Sequence, residues 1–109
     1  MAVALLMEFP MATQANYDKI MENLGMERYG TQDLPEGLIC HVAFPAEKGW
    51  MVVDVWDSRE DFDRFLQERL MSAVTRAGMP RPTVKEYPVY NLLSAVHSTE
   101  QVPMIGMVA

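Results

Sequence analysis

Apolar and polar residues alternate at the start of the chain. Val3, Leu5, Met7 and Phe9 are separated by Ala4, Leu6 and Glu8, which predicts a strand with one strongly apolar face and one mixed face, ended by Pro10. The period then changes. From Thr13, a side chain suited to an N-cap, Tyr17, Ile20, Met21 and Leu24 fall at helical spacing, and Gly25 stands where a left-handed C-cap residue belongs. Residues 26–37 hold two glycines and a proline without a consistent period, and predict a long connection of the kind that borders a site. Residues 38–44 and 50–56 read as strands two and three, joined by the polar turn Ala46-Glu47-Lys48-Gly49 into an antiparallel hairpin. Ser58 with Asp61 three residues on resembles a capping box, and Phe62, Phe65, Leu66, Ala73, Val74 and Ala77 continue as a helical stripe, stopped by Gly78 and Pro80. Residues 83–93, rich in Val and Tyr, predict a fourth strand, and Pro82 and Pro88 suit an edge position. The expected organisation is one domain over residues 1–93 and a tail, 94–109, that docks as an arm or moves freely.

The order strand, helix, strand, strand, helix, strand is the α+β, ferredoxin-like βαββαβ arrangement, a split βαβ. It predicts a four-stranded antiparallel sheet with two helices on one face. The other face then has no cover within one chain. Alternation assigns to it Ala4, Leu6 and Glu8; Ile39, His41 and Ala43; and Trp50, Val52, Asp54 and Trp56. Leu38, Cys40, Val42 and Phe44, with Met51, Val53 and Val55, go to the helices. An uncovered face with two tryptophans implies burial by a partner, a ligand or both, so the expected assembly is a homodimer whose sheets pack face to face as a dimeric α/β barrel.

Composition narrows the function classes. The chain has 109 residues, half of them hydrophobic, and a net charge of −6 without a basic cluster, which argues against a nucleic-acid partner. The apolar opening is broken by Glu8 and is far shorter than a bilayer span of about 20 residues, so no membrane contact is expected and a cytoplasmic protein is. A lone cysteine, Cys40, leaves no internal disulfide. With two histidines, His41 and His97, no Cys/His zinc spacing can be written, and no Gly-rich dinucleotide fingerprint is present, so no metal or cofactor is expected.

Three stretches carry a family resemblance. Pro35-Glu36-Gly37-Leu38-Ile39-Cys40-His41-Val42-Ala43, then residues 49–65 with the run Val53-Asp54-Val55-Trp56-Asp57-Ser58-Arg59-Glu60-Asp61-Phe62, then Pro88-Val89-Tyr90-Asn91-Leu92, resemble the dimeric α/β-barrel superfamily and, within it, small proteins of the antibiotic-biosynthesis-monooxygenase type. The resemblance implies a cofactor-free monooxygenase-like enzyme acting on a hydrophobic aromatic or polyketide-like small molecule. Haem-degrading members combine an Asn on the first strand with a His on the second helix; this chain has neither, which disfavours that chemistry. A His-Asn pair expected on the last strand is Tyr90-Asn91 here, so its role passes to the Tyr90 hydroxyl or to His41.

Among individual residues, His41 and Asp54 stand out. Helix-facing apolar sets on both strands of the hairpin require an odd pairing sum, which sets His41 opposite or diagonal to Asp54. Such a pair reads as a general base oriented by a carboxylate, able to start oxygenation, cyclisation or isomerisation, or as a polar pair that satisfies itself in a non-catalytic binding or structural dimer. Trp50 and Trp56 read as walls for a flat substrate or as packing. Glu8 stands at the end of the mixed face. On strand four, Glu86 and Tyr90 share one parity and Tyr87 and Asn91 the other; Pro88 favours Tyr90 inside. Tyr29 in the long connection reads as a lid residue or a surface one. Cys40 reads as a small hydrophobe beneath the helices.

Overall fold

The structure, a computed structural model, describes residues 1–26 and 34–95. Its elements are β1 (Val3–Pro10), α1 (Gln14–Leu24), β2 (Leu38–Ala46), β3 (Gly49–Trp56), α2 (Arg59–Phe65), a π-helical turn (Leu66–Leu70), α3 (Met71–Arg76) and β4 (Thr83–Pro88). The strands form one sheet in the order β2-β3-β1-β4, with every neighbouring pair antiparallel. This is the expected ferredoxin-like α+β arrangement. No helix among the described residues is long and apolar enough to cross a membrane. Residues 96–109 of the expected tail 94–109, His97 among them, and Tyr29 lie outside the described residues.

Local chemistry sets the boundaries. Thr13 caps α1 through its side chain, which accepts from the Asn16 amide while the Asn16 side chain returns to the Thr13 amide, and Gly25 closes the helix at φ 72°. Ser58 accepts from the Asp61 amide at the start of α2. The second helical region passes through the π turn, which the apolar stripe did not foreshadow, before α3. Arg69 and Arg76 donate to the last carbonyls of α1, Leu24 and Asn23, at 2.7 and 3.2 Å, tying the two helical layers together where the helix dipole favours cations.

Burial reverses part of the expected face assignment. On β1, Val3, Leu5, Met7 and Phe9 face the helices as expected. On β3 it is Trp50, Val52, Asp54 and Trp56 that are buried beneath the helices, with His41 and Ala43 beside them on β2. Cys40, Val42 and Phe44 lie on the uncovered face and are exposed. The pairing explains the reversal: Leu5 stands opposite Asp54 and His41 opposite Asp54, so one row crosses the sheet as His41, Asp54, Leu5 and Glu86. Parity within the hairpin was legible, whereas its parity against β1 was inverted. Burying both indoles together with Val52 removes more apolar surface than burying Met51, Val53 and Val55 would, and Asp54 tolerates the interior because its oxygens are bonded.

Trp56, Phe62 and Leu5 have no exposed surface. Trp56 meets Phe62 edge-on at 5.7 Å between centroids and Phe65 at 5.3 Å. Strand β4 ends at Pro88, five residues before the expected end at Leu93; the Val89 amide still reaches the Ala2 carbonyl, but Pro88 has no N–H to continue the ladder. Tyr87 pairs with Ala4 on the uncovered face, Glu86 lies on the helix side, and Tyr90 and Asn91 follow the strand, both exposed.

The β2–β3 hairpin turns over Glu47 and Lys48, with Ala46 paired to Gly49. A Cβ on Gly49, at φ 156°, would come 2.2 Å from the Phe9 carbonyl oxygen, so no side chain fits where the turn crosses β1. Gly49→Ala is predicted to destabilise the fold by more than about 3 kcal/mol. Gly25→Ala, which meets nothing within 4 Å, carries only the left-handed backbone cost of about 1–2 kcal/mol. Urea unfolding of both variants measures the difference.

Candidate functional site

A break in the β2–β3 ladder prepares the site. Leu38 pairs with Trp56 and Cys40 with Val55, so the register shifts by one around Ile39. Leu38 and His41, of opposite parity, thereby line the same pocket. Bulges of this kind re-aim side chains near sites.

His41, Asp54 and Trp56 are held by adjacent strands, and Tyr17 comes down onto them from α1. His41 Nδ1 lies 2.7 Å from Asp54 Oδ1, and the Trp56 indole N–H donates to Asp54 Oδ2 at 3.1 Å. Tyr17 Oη lies 2.5 Å from His41 Nε2. The Tyr17 ring stacks on Trp50 at 5.5 Å and lies nearly parallel to the His41 ring at 6.0 Å. Tyr17 belongs to the same apolar stripe of α1 as Ile20, Met21 and Leu24, which is why its ring faces the sheet.

Donor and acceptor roles follow from chemistry. An indole N–H can only donate, so Asp54 Oδ2 is an acceptor. Burial, with the carboxylates of Asp54 and Asp18 nearby, pushes the Tyr17 phenol up to about 12. Tyr17 therefore keeps its proton; in the neutral imidazole the acceptor-only Asp54 carboxylate takes the Nδ1–H, which leaves Nε2 to accept from the Tyr17 hydroxyl. Asp54 is 2% exposed, and these two donors replace the water it has lost.

The pocket around this constellation lies between the sheet and the helices. Its walls are Met7, Phe9, Ile20, Met21, Leu24, Met26, Pro35, Leu38, Val52, Phe65 and Leu70, and the lining residues that carry polar side-chain groups are Tyr17, His41, Asp54 and Trp56. The free space is about 30 Å³, room for one or two waters, within a depression of about 430 Å³ counted with the solvent space it opens to. Among the described residues no three His, Cys, Asp or Glu side chains converge as metal ligands would.

Of the residues singled out by sequence, the structure brings His41, Asp54 and Trp56 together. Trp50 does not line the pocket but backs the Tyr17 ring, and its indole N–H is buried without a partner among the described residues. Glu8 is exposed at the row of Met51 on the opposite face of the sheet, and Tyr90 and Asn91 are exposed beyond β4, so none of these three reaches the pocket. Glu86 bonds Arg59, not a pocket group. Tyr17 was legible only as a member of a helical stripe. Its position at the first turn of α1, where the stripe meets the β2–β3 hairpin, is the signal that could have marked it.

The fold is that of the small antibiotic-biosynthesis-monooxygenase-like proteins. Similar solved structures include Rv0793 of Mycobacterium tuberculosis, with TM-score 0.62, 14% identity and coverage of 86% of this chain and 100% of that one. A cofactor-independent oxygenase, SnoaB of Streptomyces nogalater, matches with TM-score 0.60 and 13% identity over 86% of this chain and 98% of its own. A Chloroflexus aurantiacus protein of the antibiotic biosynthesis monooxygenase type matches with TM-score 0.56 and 19% identity over 89% and 100%. No protein-family model and no curated protein matches the sequence.

The raised Tyr17 phenol has a consequence for stability. An unfolded tyrosine ionises near pH 10, whereas folded Tyr17 holds its proton to about 12, so its contribution is complete below pH 10 and is lost as pH rises through 12. Between pH 10 and 12 the wild type is predicted to lose stability faster than Tyr17→Phe, with urea midpoints measured at each pH as the readout.

Proposed function

We propose that this chain forms a dimeric, monooxygenase-like enzyme that removes a proton from a hydrophobic aromatic or polyketide-like molecule, with His41 as general base and Asp54 as the carboxylate that orients it. The observation that carries the reading is the buried Asp54 carboxylate bonded to a partly buried His41 at an otherwise apolar pocket. Asp54 fixes Nδ1 as the protonated nitrogen and stabilises the imidazolium that forms when Nε2 accepts a proton. Loss of that proton from a phenol gives an electron-rich phenolate. Reaction with dioxygen then places one oxygen atom on the ring as a quinone carbonyl and releases the other as water; without oxygen, the same base serves a cyclisation or isomerisation. The likeness in fold to a cofactor-independent oxygenase supports a reaction needing no metal, haem, flavin or nicotinamide.

The dimer is inferred from the uncovered sheet face. Across it run the rows Cys40, Val55, Ala4, Tyr87 and Val42, Val53, Leu6, Lys85. Val42, Phe44 and Tyr87 are 53%, 41% and 50% exposed, a largely apolar surface that a second copy would cover. Sedimentation at micromolar concentration is predicted to give twice the 12.4 kDa chain mass.

A second reading, a non-catalytic binding or structural dimer, draws on the small free space, since about 30 Å³ admits no aromatic substrate unless the walls move apart. Turnover separates the two. With 1-naphthol, oxygen uptake and naphthoquinone formation are expected from the wild type, and His41→Ala is predicted to lower the rate by at least ~100-fold with the dimer intact. A folded His41→Ala dimer with full activity removes the base role. A wild type without turnover, whose His41→Ala variant loses only stability, favours the second reading.

A further inference from the structure

Both ring nitrogens of His41 are occupied by the protein. Nδ1 is held by Asp54 at 2.7 Å, and Nε2, the nitrogen a general base must use, is covered by the Tyr17 hydroxyl at 2.5 Å. A substrate in the pocket therefore cannot reach Nε2 while the Tyr17 bond is made. We propose that Tyr17 is itself a catalytic residue, the group that touches the substrate and relays its proton to His41. This inference rests on the base role of His41 proposed above.

The geometry suits a relay. Tyr17 lines the pocket, and its hydroxyl, bonded to His41, keeps its lone pairs for an acidic hydroxyl that parts the pocket walls to reach it. As the substrate proton moves to Tyr17 Oη, the proton already on that oxygen moves to His41 Nε2. The O–H bond of the substrate breaks, a new O–H bond forms on Tyr17, and its former O–H bond is exchanged for N–H on His41. Tyrosine begins and ends neutral, the substrate becomes an anion, and the imidazolium is balanced by Asp54. No electron changes hands in this step. Concerted transfer avoids a free tyrosinate, which the burial beside Asp54 and Asp18 opposes. The Trp50 ring behind Tyr17 and the capped first turn of α1 hold the phenol in place, so the relay oxygen is positioned by packing rather than by a flexible loop.

Stacked on Trp50 and bonded to His41, Tyr17 could instead be a plug that must leave before a substrate reaches Nε2 directly. A chromophoric acid distinguishes these roles. 4-Nitrophenol is titrated against the wild type, Tyr17→Phe and His41→Ala at neutral pH, with binding followed by quenching of tryptophan fluorescence and ionisation by the visible absorbance of the phenolate. If Tyr17 relays the proton, both variants bind the probe yet lower its bound phenolate fraction by about tenfold or more: His41→Ala removes the final acceptor, and Tyr17→Phe keeps the ring in place but leaves a gap of one hydroxyl group between the probe and Nε2. Phenolate retained in Tyr17→Phe but lost in His41→Ala overturns the relay and leaves His41 as a direct base. Phenolate unchanged in both variants, or no binding by the wild type, overturns the base reading and the relay with it.

Discussion

The buried Asp54 carboxylate is the constraint on which the rest of the site depends. A carboxylate 2% exposed in a sheet interior is tolerable only with bonded oxygens, and here one is bonded by His41 and the other by Trp56. These partners come from the same hairpin, so the pairing that forms β2 and β3 also forms the polar cluster. Asp54 in turn selects the His41 tautomer, and that tautomer gives the Tyr17 hydroxyl its acceptor. Four side chains from three elements are thus coupled through one desolvated charge. Removing Asp54 would strand the Trp56 indole N–H in the core as well as free the imidazole.

Much of the fold was legible because its punctuation is strong. Thr13, Gly25, Ser58 and the Glu47-Lys48 turn mark boundaries through local chemistry that tertiary contacts do not overrule. The opposition of His41 and Asp54 was also legible, since an odd sum alone keeps apolar residues together on both strands. Which side of the sheet that pair faces was not. β3 is apolar on both faces, Trp50, Val52 and Trp56 on one and Met51, Val53 and Val55 on the other, and Asp54 made the first look like the solvated side. The sequence pattern carries no sign that its charge would be satisfied internally. The end of β4 differs from the sequence pattern for another reason: Val and Tyr beyond Pro88 have strand propensity, but β1 offers only its first residues there to pair with.

The reversal changes where chemistry and association take place. With the tryptophans turned inward, the pocket lies between sheet and helices within one chain, and the uncovered face is left to aliphatic side chains suited to packing against a like surface. Site and proposed interface are then the two faces of one sheet, linked through strands that contribute alternate residues to each. Val53 and Val55, beside Asp54 in sequence, belong to the uncovered face, so a dimer packed there would stiffen the strand that carries the carboxylate.

The most direct test of this arrangement is the nitrogen NMR spectrum of the His41 ring, recorded on the ¹⁵N-histidine-labelled His97→Ala protein so that a single imidazole is observed. The account predicts a protonated Nδ1 and an unprotonated, hydrogen-bonded Nε2 for the neutral ring, with the Nε2 resonance moving toward that of a free acceptor when Tyr17 is replaced by Phe. A neutral ring protonated at Nε2, or an Nε2 resonance indifferent to Tyr17, would contradict it.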